Sequence, residues 1–210
     1  MMRHLPIALC LFSLVLGCAS TNITSFKDPA YQNTAFKQIL IIANTSNLQS
    51  RQMLESQMVE AFKGIGIDAM KSILLFPPTR TLSNEQKVEL LLRYEIDAFL
   101  SIDVGERGVQ NVYVPPTGST TKTKGEVSVY GNRAEYEEKS TTTVQGGYSI
   151  SKPWAEFQIN LYDVSSGSIA WIASSHTGGN GYASFTTVIN SFCEKVVDQL
   201  KQDSLIIPAR

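Results

Sequence analysis

The chain has 210 residues, 43% of them hydrophobic and 18% charged, enough to bury one well-formed core with appendages. With 18 basic against 19 acidic residues, the formal net charge is −1, and no basic block offers a nucleic-acid footprint. After the first 17 residues no apolar stretch approaches the roughly 20 residues a helix needs to cross a bilayer.

The N-terminus carries Arg3 and His4, then an apolar run from Leu5 to Leu16. That run is too short to span and suits the core of a signal peptide. It closes on Leu14-Val15-Leu16-Gly17-Cys18, which resembles the bacterial lipobox. Val15 and Leu16 fill the permissive apolar positions, Gly17 gives a peptidase access to the next bond, and Cys18 presents the thiol to be alkylated. The competing reading is an ordinary secretory signal with a chance cysteine. The lipobox resemblance implies that residues 1–17 are removed and that acyl chains such as palmitate on Cys18 hold the protein to a membrane. Ala19 and Ser20 follow the cysteine, with no aspartate to retain the protein in an inner membrane, so the same resemblance implies the outer membrane, facing the periplasm. Of the three cysteines, Cys10 leaves with the signal and Cys18 is acylated; Cys193 is then alone, and no intramolecular disulfide is expected.

Residues 18–34 are polar and are expected to form a short lipidated tether. The α/β domain is expected over 35–202. Ile39-Leu40-Ile41-Ile42 is apolar at every position, the pattern of a strand covered on both faces. The turn cluster Asn44–Asn47 follows, with Ser46 or Ser50 as N-cap of a helix running to about Lys63. Leu54, Met58, Ala61, Phe62 and Ile65 share one face of that helix, and Gly64 and Gly66 end it. Ile67–Met70 reads as a second strand that extends at most to Leu75. Ser83 with Gln86 forms a capping box for a helix to Tyr94, its buried face expected at Val88, Leu91 and Leu92. Ala98–Val104 is the third strand. Two successive crossover units of this kind build a parallel sheet.

Residues 105–152 are rich in Gly, Ser, Thr, Lys and Glu and are expected to be a variable polar insertion, either a β-ribbon or a disordered arm. Alternation returns at Trp154: Ala155, Phe157, Ile159 and Leu161 on one strand, then the turn Asp163–Gly167, then Ile169, Trp171 and Ala173 on the return strand. The glycine-rich loop His176–Gly181 precedes a last helix from about Ala183 to Lys201, with Phe185, Val188, Ile189, Phe192, Val196, Val197 and Leu200 inward. Residues 203–210 are expected to be a tail. The fold class is therefore α/β: one domain with a mixed sheet packed by helices.

The order β-α-β-α-β, hairpin, helix is carried by ILIIANTSN (39–47), LSNEQ (82–86) with IDAFLSIDV (96–104), and INLYDVSSGSIAWIA (159–173). It resembles the periplasmic α/β domains of the translocation protein TolB (its N-terminal domain), the curli secretion lipoprotein CsgG and the penicillin-binding-protein activator LpoB. The resemblance implies docking onto another envelope protein, or self-assembly, without catalysis.

The residues themselves offer little chemistry. His176 is the sole histidine after the signal, so no histidine-rich metal site can form within one chain, and Cys193 has no CxxC partner. A Cys193–His176 nucleophile and base can be drawn, but Cys193 is four residues from both Ile189 and Val197, on an apolar helix face. Glu135, Glu137 and Glu138 cluster in the polar insertion as a solvated face. Gly178, Gly179 and Gly181 could expose amides to an anion at a helix start, although the dinucleotide pattern fails at Ser184. Tyr113, Tyr130, Tyr136 and Trp154, in or beside the insertion, are candidates for partner docking, with packing of the ribbon on itself as the alternative. A membrane-spanning hairpin of a secretion pore finds no support from Val127 onward, since each face mixes charged or polar residues with apolar ones. No cofactor and no metal is implied. The expected function is a non-catalytic envelope interaction factor, with small-anion binding by the 178–181 loop as the alternative.

Overall fold

A computed structural model describes residues 17–116, 119–130, 133–144 and 146–208. Residues 1–16, where the sequence places the expected signal peptide with Val15 and Leu16, lie outside the described residues. Among the described residues, no helix is long and apolar enough to cross a membrane.

The elements in chain order are β1 (Ala19–Lys27), a short 3-10 turn (Pro29–Tyr31), β2 (Gln38–Asn44), α1 (Leu48–Gly64), β3 (Asp68–Lys71), α2 (Ser72–Leu75), α3 (Asn84–Arg93), β4 (Ala98–Val114), β5 (Ser119–Tyr130), β6 (Arg133–Val144), β7 (Tyr148–Asp163), β8 (Ile169–Gly179) and α4 (Phe185–Gln202). The main sheet has six strands in the order β1-β8-β7-β4-β2-β3. β2 pairs in parallel with β3 and β4, as the two crossover units require, while β8 runs antiparallel to both β7 and β1. Gly105 lies against Glu156 and Gly108 against Trp154, so numbers rise on β4 as they fall on β7 and that pair is antiparallel too. The fold is thus α/β with a mixed sheet, as the element order predicts.

The helices divide between the two faces. Ile39, Ile41 and Ala43 of β2 point into the large core with Leu54, Met58 and Phe62 of α1 and with Phe192, Val196 and Leu200 of α4. Leu40 points the other way, into a smaller cluster with Leu75, Leu91 and Ile96. This double coverage explains the uninterrupted apolar run in β2. Phe157 of β7 stacks on Phe192 of α4 with ring centroids 3.8 Å apart, a contact that fixes α4 on the sheet.

Several expectations give way to the structure. Residues 18–34 do not form a tether: Ala19–Lys27 is an edge strand zipped to β8 from Ala19↔Gly179 to Lys27↔Trp171. Its inward positions mix Thr21, Ser25 and Lys27 with Ala19 and Ile23, and Phe26 faces out, so no clean hydrophobic alternation announces it. Thr21 Oγ1 bonds Thr177 Oγ1 and Ser191 Oγ, each at 3.0 Å, and Ser25 Oγ donates to Asp203 Oδ2 at 3.0 Å. Residues 203–208 are likewise no loose tail. Leu205 and Ile206 are buried, Ile206 bridges Phe36, and Asp203 accepts the Trp171 indole N–H at 2.6 Å. The α1 cap is neither serine considered from the sequence; Asn47 takes the Ser50 N–H at 2.8 Å. Chain beyond Lys71 turns into α2 and does not prolong the strand. In α3 the Ser83–Gln86 capping box forms, yet only Leu91 is buried, while Val88 and Leu92 are 51% and 66% exposed. A register shift between Leu161 and Tyr162 turns Ile169 outward and brings Ala170 and Trp171 in. Phe185 is also largely outside the core.

Residues 110–151 form a second compact unit. Within it β5 and β6 pair antiparallel from Ser119↔Val144 to Tyr130↔Arg133, and Ser151 Oγ donates to Asn111 at 2.7 Å. The ribbon alternative is the form the described residues take.

Candidate functional site

Cys18 is exposed and immediately precedes β1. Its carbonyl accepts the Asn180 N–H at 2.8 Å, one step beyond the Ala19↔Gly179 pair. The thiol therefore sits where the chain joins the sheet, with no slack between it and the folded body. Around it lie Gly17, packed against the Tyr182 carbonyl, and Tyr182 itself, 73% exposed.

The 178–181 segment is not a single loop. Gly178 and Gly179 belong to β8, where Gly178 faces both Ser20 and Trp154 and Gly179 faces Ala19. Gly178 is laddered on both sides and Gly179 to β1, while Gly181 falls in the turn between β8 and α4. At the start of α4, Ser184 Oγ accepts the Thr187 N–H at 3.1 Å and Thr187 Oγ1 accepts the Ser184 N–H at 3.2 Å, a capping box that occupies the helix end. The glycine at 179 has a packing reason: a Cβ there would lie 2.5 Å from the Ala183 Cβ and 3.1 Å from Pro153.

Cys193 and His176 cannot act together. Cys193 is buried beneath α4, and burial, with a smaller contribution from Glu194, pushes its thiol far above the ordinary range, so it stays protonated. On β8, Ala173, Ser175 and Thr177 face α4, and the period of two sends His176 to the opposite face. There its ring stacks on Trp154 with centroids 5.7 Å apart, and Nδ1 lies 3.5 Å from Glu156. Trp154 is therefore engaged within the body, its indole also against Gly108, and does not stand as a docking residue of the insertion. Tyr113 is 62% exposed in the hairpin unit and packs against Gly147. Tyr130 and Tyr136 lie on β5 and β6, opposite Arg133 and Val127, with their side chains outside the described residues, as are those of Glu135, Glu137 and Glu138.

Two features carry no announcement in the sequence reading. The first is Glu55, fully buried on α1. Its Oε1 accepts from Ser72 Oγ (2.6 Å), Arg51 Nε (3.0 Å) and the Ala43 N–H (3.3 Å), and its Oε2 from the Ile73 N–H (3.0 Å). One carboxylate thus ties α1 to the end of β2 and the start of α2. The signal was a glutamate beside Leu54 in the apolar stripe, with Arg51 one turn before it. The second is a groove of about 420 Å³ between the first turns of α1 and α4, floored by Leu54, Phe157 and Val188 and opening past Phe185. Its lining also takes Gln49, Ser50 and Met53 from α1, Val104 and Arg107 from the middle of β4, and Ala155 from β7. Among the described residues, no cluster of three or more metal-ligating side chains occurs.

No family model and no curated protein matches the chain. Among solved structures it is similar to the PelC dodecamer from Paraburkholderia phytofirmans, with a TM-score of 0.49 and 16% identity over 89% of this chain and 99% of that one. It is also similar to lipoprotein GNA1162 from Neisseria meningitidis, with a TM-score of 0.41 and 15% identity over 79% of this chain and 99% of that one. At such levels of similarity, function has to be argued from this chain's own residues.

Proposed function

We propose that the protein is an outer-membrane lipoprotein, held by acyl chains on Cys18, that serves the periplasmic envelope as a non-catalytic interaction or assembly factor. The observation that carries this reading is the coincidence of a lipobox with an exposed Cys18 at the first residue before β1. A lipid there can enter a bilayer while β1 remains paired, so anchoring and folding do not compete. Three acyl chains at about 0.8 kcal/mol per buried CH₂ would hold such an anchor through many cell generations. Against catalysis stand the inert, buried Cys193 and the engagement of His176 on the other face of the sheet.

The Gln110–Ser151 unit is the element we assign to partner contact, whether the partner is another envelope protein or a second copy. It brings Tyr113 to the surface on a polar hairpin separable from the core. The Cys18→Ser variant tests the anchor: metabolic palmitate labelling should vanish and the protein should leave the membrane fraction. Replacing residues 110–151 by a short turn tests the contact element. The body should keep its unfolding midpoint and lose the partner that in-cell formaldehyde cross-linking captures on the parent chain. Capture that survives the replacement would remove the hairpin from the interface.

A further inference from the structure

The groove between α1 and α4 has no role in the reading above. Its floor is fully buried and apolar, Met53 and Ile189 form half-buried walls, and Phe185 stands at its mouth, 42% exposed. A volume of about 420 Å³ falls within the roughly 300–1,000 Å³ of small-molecule sites. Aliphatic and aromatic carbons dominate the lining, and no acidic residue contributes to it. The single charge at the rim is Arg107, exposed on β4 and without an ionic or hydrogen-bonding partner among the described residues.

An apolar trough with one uncommitted cation at its edge complements an amphiphile: a flexible hydrocarbon tail ending in an anion. The location narrows the source. Trp154 faces Gly178, which faces Ser20, so the groove's Ala155 and Phe157 lie three to five residues along β7 from the level of Cys18. Asn180 holds the Cys18 carbonyl and is followed closely by Ser184 and Phe185 at the groove mouth. The opening and the anchor point share one end of the sheet, the end an acylated Cys18 would bring to the bilayer. We propose that this groove binds the acyl chain of an anionic membrane lipid, with the tail over Leu54, Phe157 and Val188 and the head group paired with Arg107. The source in the membrane rests on the anchoring reading; the binding chemistry does not.

The test separates the two. The full chain carrying Cys18→Ser, free of detergent, is titrated with laurate and with dodecanol by calorimetry. Laurate should bind saturably at one per chain. Ile189→Trp, which puts an indole into the groove from a half-buried wall, should weaken laurate at least tenfold while the circular dichroism spectrum is kept. Should that variant not fold, Met53→Trp fills the groove from the opposite wall. Arg107→Glu should weaken laurate about tenfold and leave dodecanol unchanged. Absence of saturable binding, or binding indifferent to both indoles, overturns the site; equal weakening of laurate and dodecanol by Arg107→Glu overturns the head-group pairing. If the membrane-extracted, lipidated protein refuses laurate that the Cys18→Ser chain accepts, the groove holds the anchor's own chain and the assignment to a separate lipid falls. None of these outcomes depends on where the protein sits in the cell, which fractionation of Cys18→Ser decides alone.

Discussion

Removing the Glu55 carboxylate should be among the most damaging single changes in the body. Glu55→Ala leaves four donors without their acceptor: the amides of Ala43 and Ile73, the fully buried Ser72 hydroxyl and the Arg51 guanidinium. Arg51 is about one-fifth exposed and can turn partly to water, while the Ala43 amide and Ser72 hydroxyl cannot. Breaking a buried ion pair from one side costs about 3–5 kcal/mol, much of it the penalty of the groups left behind. Domains of this kind are stable by roughly 5–15 kcal/mol, so the variant should stand near its unfolding threshold. Glu55→Gln is the informative companion. With its oxygen on the crowded Oε1 side, it keeps three bonds, each weaker to an amide oxygen than to a carboxylate, and turns an NH₂ toward the Ile73 amide, for a loss of about 2 kcal/mol. Urea unfolding of the parent and both variants, followed by far-ultraviolet circular dichroism, reads these differences as midpoint shifts at constant slope. A loss below about 1 kcal/mol for Glu55→Ala at unchanged slope would refute the view that this carboxylate holds α1, β2 and α2 together.

Other outcomes follow from the same geometry. In the Cys18→Ser background, Cys193 should resist thiol reagents at neutral pH until the protein unfolds, because burial keeps it protonated and covered; labelling at the rate of a model thiol in native buffer would place it elsewhere. Burial works upward on the Asp163 carboxyl, yet hydrogen bonds from Ser166, Ser165 and Tyr31 outweigh it and hold the pKa below the ordinary 3.8. A depressed carboxylate stabilises the fold above its unfolded pKa and loses that contribution as pH falls through the folded value. Asp163→Asn should therefore flatten the acid limb of a stability profile below about pH 4, and an unchanged limb would contradict the assignment. Gly179→Val should destabilise by more than a strand substitution ordinarily does, since its Cβ would overlap Ala183 and crowd Pro153; a thermal midpoint equal to that of the parent would show that the Asn180–Ala183 turn yields freely.

What was legible in the chain follows from how each part is stabilised. The parallel β2-β3-β4 arrangement and the capped helix α3 are written in apolar runs and in Ser83–Gln86, local signals that survive without tertiary context. β1 was not legible because its inward face interleaves Ala19 and Ile23 with Thr21 and Ser25, which bond to Thr177, Ser191 and Asp203 across more than 150 residues. A polar seam of that kind looks like linker to any hydrophobic count. The glycines at 178 and 179 were read as a loop, yet both lie in the strand; at 179 the neighbouring chain leaves no room for a side chain, while Gly178 has open space around it. At the candidate site, Cys18 was visible as a motif, but its rigid attachment was not, and the groove is invisible in sequence because its lining comes from α1, β4, β7 and α4 together.

The pairing of β1 also determines how the molecule would respond to force. A load applied at Cys18 along the strand axis, with the body held by a partner, strains the whole ladder from Ala19↔Gly179 to Lys27↔Trp171 in shear, many hydrogen bonds at once. A load applied sideways opens the same ladder like a zipper, one pair at a time, beginning beside Cys18. An attachment point built this way is strong along one axis and weak across it, so the direction of a pull at Cys18 would decide whether its connection to the body holds or peels.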